Sequence, residues 1–273
     1  MPLRHAPRFR PVDLALSPLE VAAGLRHLPD LAFFDSAGNL SHPQALSVIA
    51  ARPSEVHRGD LADLGPLREA LDARQVDRPD CGFPLGAACG WIDYDGRYRF
   101  GFYEDLLIHA HATGQWFEVG NLLEALDPAA VPFEPLPLQW TSNFTRPQFL
   151  EAVGRAQDYI ARGDIYQVNL SQRLEAAVPP GVDLFGYYDR LRALSPAPMA
   201  AYLRTAEREV LSSSPETFLR MNGSSLETRP IKGTRPRFAD PELDSRSAFE
   251  PVSYTHLTLP TTLPRCSARW SAC

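Results

Sequence analysis

Lys232 sits in the run Pro230-Ile231-Lys232-Gly233-Thr234, where its neighbours restrict the backbone on both sides. Pro230 locks its own φ and biases Arg229 towards an extended conformation. Gly233 allows a sharp turn or a close approach of the main chain to a ligand. An amine held in such an apolar approach loses solvation, its pKa falls, and it becomes available as a base or nucleophile. A solvated lysine at a strand end has the same local sequence, and lysines are mostly exposed. Five residues do not separate the two.

The residues upstream add a carboxylate. Ser212-Ser213-Ser214-Pro215-Glu216 leads into Thr217 to Met221, Asn222-Gly223 signals a hairpin turn, and Ser225 to Arg229 returns towards Lys232. The hairpin brings Glu216 and Lys232 into one neighbourhood, with the register left open between a two-residue and a four-residue loop. There, an acid and an amine can divide proton-transfer roles or form an ordinary salt bridge.

The stretch Glu227-Thr228-Arg229-Pro230-Ile231-Lys232-Gly233-Thr234-Arg235-Pro236-Arg237 resembles the signature of the chorismate-utilising enzymes. Three more blocks match in order: Gly163 to Gln172, Ser195 to Tyr202, and Ser214-Pro215-Glu216. Ser195 departs from the pattern, standing where asparagine is common. The resemblance spans about residues 10 to 250. With lysine at position 232 the chain looks like the aminodeoxychorismate synthase component I branch. The anthranilate synthase component I branch, which usually carries alanine there, is the alternative. Isochorismate and salicylate synthases also carry a lysine, which activates water.

The resemblance implies an α+β fold, the N-terminal part of an assembly of antiparallel sheets packed as a sandwich with surrounding helices. It also implies amination of chorismate to 4-amino-4-deoxychorismate on the route to p-aminobenzoate and folate. Lys232 would be the nucleophile and Glu216 the general acid/base, with Gly233 and Thr234 presenting donors to the substrate carboxylates. Mg²⁺ would neutralise the dianionic substrate. Its glutamate ligands are expected downstream of the lysine motif, so no metal ligand is assigned within this chain. Ammonia would come from a glutamine amidotransferase subunit, component II. A second implied feature is a tryptophan pocket at Asp35, Ser36, Pro198 and Met199, for which a packed interface within the sheet is the alternative.

Residues 251–273 contain no Asp, Glu or Lys and two Arg, and resemble translated vector or adapter sequence. The expected partition is therefore 1–140 for an N-terminal region, 141–250 for the first part of the chorismate-binding region, and 251–273 for a non-native tail. With the lysine present and the metal ligands absent, the chain as written is expected to be inactive alone, a tryptophan- or subunit-binding fragment.

Composition fits a globular enzyme: 273 residues, 44% hydrophobic and 22% charged. A net charge of −6 and a pI near 5.7 argue against nucleic acid as partner, so an anionic substrate must be attracted locally. No apolar run is long enough to span a membrane and no leader-like stretch opens the chain, which reads as cytoplasmic. Cys81 and Cys89 lack metal-type spacing, and Cys266 and Cys273 fall in the tail, so no disulfide framework is expected. No G-x-x-x-x-G-K, G-x-G-x-x-G, H-E-x-x-H or G-x-S-x-G motif occurs. His109-Ala110-His111 puts two imidazoles on one strand face, exposed or metal-binding, without a visible third ligand.

These residues need elements to position them. Val12 to Leu16 reads as an edge strand, followed by a capping box and first-turn proline in Ser17-Pro18-Leu19-Glu20. Leu31 to Phe34 reads as a buried strand, Leu64, Leu67 and Leu71 lie at helical spacing, and Gly86 to Ile92 reads as a strand. Four prolines between Pro128 and Pro137 suggest an extended linker. Thr145 and Gln148 open a helix that Gly163 ends, and the alternation from Tyr166 to Leu174 predicts a half-buried strand with Gln167 and Asn169 on its polar face. Asp183 is expected to cap a helix that Pro196 terminates.

Overall fold

The Ser17 hydroxyl accepts the Glu20 amide at 3.3 Å, and the Glu20 carboxylate accepts the Ser17 amide at 2.8 Å. This reciprocal cap starts the first helix where the sequence places it. The computed structural model describes residues 7–37, 45–76, 82–128, 137–222, 225–229 and 238–249. Two compact units divide the chain, Met1–Pro215 and Glu216–Cys273.

In chain order the first unit contains β1 (Phe9–Val12), α1 (Pro18–Leu25), β2 (Ala32–Asp35), β3 (Leu46–Ala50), β4 (Glu55–Asp60), α2 (Gly65–Asp72), β5 (Ala87–Ile92), β6 (Arg97–Tyr103), β7 (Leu106–Ala110) and β8 (Gln115–Val119). It continues with β9 (Thr141–Ser142), α3 (Arg146–Ala161), β10 (Leu174–Glu175), α4 (Phe185–Leu194), β11 (Met199–Arg204) and β12 (Glu209–Ser214). The second unit contributes β13 (Thr217–Asn222), β14 (Ser225–Arg229) and α5 (Pro241–Phe249).

A seven-stranded antiparallel sheet, ordered β1-β8-β7-β3-β2-β11-β12, organises the first unit. Strand alternation gives it two apolar faces. Phe33, Ile49, Leu107, Trp116 and Tyr202 pack against Val21 and Leu25 of α1 and against Phe185 and Tyr188 of α4. Ala32, Ala50, Leu106, Ile108, Val119 and Leu203 point the other way, towards Phe83, Leu85, Cys89 and Tyr103. The last two belong to a three-stranded sheet, β4-β6-β5. Helices, large sheet and small sheet therefore stack as three layers around two cores, as the α+β sandwich reading expects. Burial pushes the Cys89 thiol up to about 12, leaving it an inert core residue.

Two expectations are corrected. The edge strand lies at Phe9–Val12 rather than Val12–Leu16: Leu14 and Leu16 turn inward onto the helix-side core, and the Leu16 carbonyl accepts the Trp116 indole N–H at 3.1 Å. The alternating run at 166–174 is a strand only at Leu174–Glu175, where β10 pairs with β9. Tyr166, Val168 and Leu170 are exposed rather than half-buried, because no strand among the described residues pairs with this stretch. α3 keeps its Thr145–Gln148 cap, and Gly163 follows it at φ 78°, but the helix contains no buried residue. The proline-rich residues 129–136 and the tail 251–273 lie outside the described residues.

Candidate functional site

The second unit holds the hairpin that the lysine motif requires. Thr217 pairs with Arg229, Arg220 with Glu227, Met221 with Leu226 and Asn222 with Ser225. Asn222 is thus the last residue of β13 rather than part of the turn, and the connection is two residues long. An irregularity between Thr217 and Arg220 shifts the register at the open end of the hairpin. There the Thr228 hydroxyl donates to the Thr217 carbonyl at 3.4 Å, next to exposed Glu216. The chain leaves β14 at Arg229, opposite Thr217, so the residue before β13 and the residue ending β14 share one end. Lys232, Gly233 and Thr234 follow directly but lie outside the described residues.

The first unit brings together Asp35, Ser36, Pro198 and Met199, which are more than 160 positions apart in sequence. β2 pairs antiparallel with β11, with Asp35 opposite Ala200, so Ser36 and Met199 are the next positions along each strand. Ser36 Oγ donates to the Leu46 carbonyl at 2.8 Å, which leaves its lone pairs free to accept a ligand's N–H. Met199 is 44% exposed and Ala200 is buried, so one side of this corner is open and the other is core.

Behind the corner lies a polar network that sequence reasoning missed. The Asp35 side chain is fully buried and ion-paired with Arg192, from the last turn of α4. The Ser47 hydroxyl donates to Asp35 Oδ1 at 3.0 Å, and His111 Nε2 lies 2.8 Å from the same hydroxyl. Since the single Ser47 proton goes to Asp35, His111 must donate from Nε2. Burial, then the neighbouring His109, holds His111 below the usual imidazole range, and Asp35 opposes the shift. The ring is therefore neutral near pH 7, in the Nε2–H form. Burial likewise lowers His109, whose ring lies 4.7 Å from that of His111 and 4.8 Å from that of Trp116. The phenol of Tyr188 is pushed up by burial and by the nearby Asp35 charge.

The pair His109 and His111 is thus not an exposed strand face: both residues are partly buried, and His111 is hydrogen-bonded to Ser47. Among the described residues no group of three His, Cys, Asp or Glu is placed to hold a metal. Their one available signal was the i, i+2 spacing of the histidines; Ser47 and Arg192 carried none. No helix among the described residues is long and apolar enough to cross a membrane.

The sequence model of a family described as chorismate binding enzyme matches residues 66–250. Anthranilate synthase component 1 of Thermus thermophilus is 47% identical over 222 residues, which cover 68% of this chain and 48% of that protein. Aminodeoxychorismate synthase component 1 of Salmonella typhimurium is 33% identical over 237 residues, covering 75% and 50%. The crystal structure of anthranilate synthase component I from Streptococcus pneumoniae aligns with a TM-score of 0.55 at 20% identity, over 68% of this chain and 54% of that one. The chain spans about half the length of the curated relatives it matches.

Proposed function

The chain belongs to the chorismate-binding enzymes, matched over residues 66–250, and on that premise we propose that it is part of a component I subunit that aminates chorismate to 4-amino-4-deoxychorismate. The observation that carries this reading is Lys232 within Pro-Ile-Lys-Gly-Thr, directly after a hairpin whose open end holds Glu216. In this reading the Lys232 amine adds at C2 of chorismate, and both ring double bonds shift, from C1=C2 and C5=C6 to C1=C6 and C4=C5, as the C4 hydroxyl leaves. Glu216 supplies the proton that lets the hydroxyl depart as water. Ammonia then adds at C4, both double bonds return to C1=C2 and C5=C6, and the lysine leaves C2. Substrate and ammonia combine to product and one water, with the lysine regenerated. Gly233 and Thr234 orient the substrate carboxylates.

Ammonia would be delivered by a glutamine amidotransferase subunit, in the cytoplasm. Magnesium belongs to the reading as a counter-ion for the chorismate dianion. The described residues offer it no ligand set, and no step above passes through it. The corner at Ser36, Pro198 and Met199 would hold tryptophan: its ammonium on the Ser36 hydroxyl oxygen and nearby carbonyls, its indole on the apolar side.

Anthranilate synthesis is the second reading, supported by the 47% identity to the Thermus protein. The two are separated by the product. The protein encoded by the complete gene is incubated with chorismate, ammonia and Mg²⁺. The expected product is 4-amino-4-deoxychorismate, and Lys232→Ala is expected to abolish it or divert the reaction to anthranilate. Anthranilate from the unaltered protein would reject the first reading, and unchanged amination by Lys232→Ala would reject the nucleophile.

A further inference from the structure

The three-stranded sheet carries a second concentration of charge, remote in sequence from the lysine motif. Its register sets Arg58 of β4 opposite Arg99 of β6, and Arg99 opposite Trp91 of β5. Directly paired residues share a face, so the three side chains form a row across the sheet. Arg208, in the turn between β11 and β12, lays its guanidinium 3.8 Å from the centre of the Trp91 ring. Thr205 fixes that turn: its hydroxyl oxygen accepts the amides of Glu207 and Arg208 at 3.3 and 3.1 Å and donates to the Arg208 carbonyl at 2.9 Å.

Three guanidinium groups here meet two carboxylates. Glu207 is hydrogen-bonded to Arg58 and lies 3.5 Å from Arg99 Nε, while Asp30 accepts Arg99 Nη2 at 2.7 Å. The hydrogen bond from Arg58, helped by the charges of Arg99 and Arg208, holds the Glu207 carboxyl below its usual range. One positive charge remains in excess. Arg99 is the informative member, with a side chain only 2% exposed. Its Nη1 is buried without a partner, and so is the indole Nε1 of Trp91 beside it. Unpaired buried donors are costly, most of all on a charged group, and what both lack is an acceptor.

We propose that this cluster binds a small oxyanion, a phosphate or a carboxylate, between Arg99, Arg208 and Trp91, with Glu207 acting as the internal carboxylate that competes for it. Guanidinium groups suit both anions, since each offers paired oxygens to a planar fork of donors. Glu207 already shows that a carboxylate is accepted at the edge of the cluster.

The test is a thermal-unfolding titration of the full chain with inorganic phosphate, malonate and chloride at matched ionic strength. Phosphate or malonate is expected to raise Tm saturably beyond chloride. A response to phosphate alone identifies a phosphoryl ligand, to malonate alone a carboxylate ligand, and to both a general oxyanion site. Arg208→Ala, a turn substitution that leaves the core intact, is expected to weaken the apparent affinity at least several-fold. Glu207→Gln removes the competitor and is expected to strengthen it. Equal behaviour of all three salts, or an affinity untouched by both substitutions, would overturn the proposal and leave the donors to ordered water.

Discussion

Asp35 and Arg192, 157 positions apart, form an ion pair in which the carboxylate side chain is wholly withdrawn from solvent while the arginine side chain is 26% exposed. A carboxylate in that position depends on its partner far more than a surface ion would. Replacing Arg192 by Met keeps the stem that lines α4 and strands the charge. Urea unfolding at pH 7.5 should then show a loss of about 3–5 kcal/mol, the range for a buried pair broken on one side. Adding Asp35→Asn to Arg192→Met should recover part of the loss. Simple additivity of the two single effects would mean that the pair contributes no coupling.

The same network makes stability depend on pH. His111 is held below its unfolded value, burial being the largest cause, and His109 is shifted in the same direction. The unfolded chain therefore takes up protons first as pH falls through the ordinary histidine value of about 6.5. The contribution of these rings is fully present above that value and declines as pH drops towards their folded values. Unfolding free energies measured from pH 7.5 down to 5 should fall, and His111→Asn, which can still donate to Ser47, should flatten the slope. An unaltered slope would place the titrating groups elsewhere.

The corner in front of this network should bind tryptophan. Ligand at a hundredfold excess over Kd adds about 2.7 kcal/mol to a folded state that binds it. Millimolar tryptophan should therefore raise Tm, and Met199→Glu, placing a charge at the exposed rim, should cancel the rise. No shift with millimolar tryptophan would refute the pocket.

Much of this architecture is local and could be read from the chain. The Ser17–Glu20 and Thr145–Gln148 boxes, the Asp183 side chain accepting the Phe185 amide at 2.9 Å, and the buried strand at Phe33 follow from neighbours a few residues apart. The network around Asp35 does not. It depends on the registers of β2 with β3, β3 with β7 and β2 with β11, which bring Ser47, His111 and Arg192 to one carboxylate. Periodicity announces that a strand exists but not which strand lies beside it. The alternation at Tyr166–Leu174 misled for the converse reason: the pattern is there, but no paired strand among the described residues makes it a ladder.

Gly90 is a position where the need for glycine is geometric. A Cβ there would meet the Arg99 carbonyl oxygen at 1.8 Å and the Phe100 Cα at 2.9 Å, both backbone atoms that no rotamer can move. Gly90→Ala must push β5 from β6, the strand bearing Arg99. The expected loss is at least about 1–3 kcal/mol, the range for overpacking, read as a lower urea midpoint. Unchanged stability would mean that β5 can slide outwards freely.

Glu216 offers the sharpest distinction between chemistry and structure. It precedes Thr217, whose partner Arg229 is the last residue of β14, and in the proposed reaction it delivers the proton to the departing hydroxyl. An amide of the same shape keeps the hairpin and any contact made by the carbonyl oxygen, but it cannot carry that proton. In the protein encoded by the complete gene, Glu216→Gln should therefore lower kcat by about 10²–10⁴, the usual contribution of a general acid. KM for chorismate should stay near its original value, because the carboxylates of the substrate are assigned to Gly233 and Thr234. If Glu216 only tied the hairpin to a neighbouring cation, the change would appear in unfolding rather than in kcat. A variant with full turnover and lowered Tm would assign it that structural part.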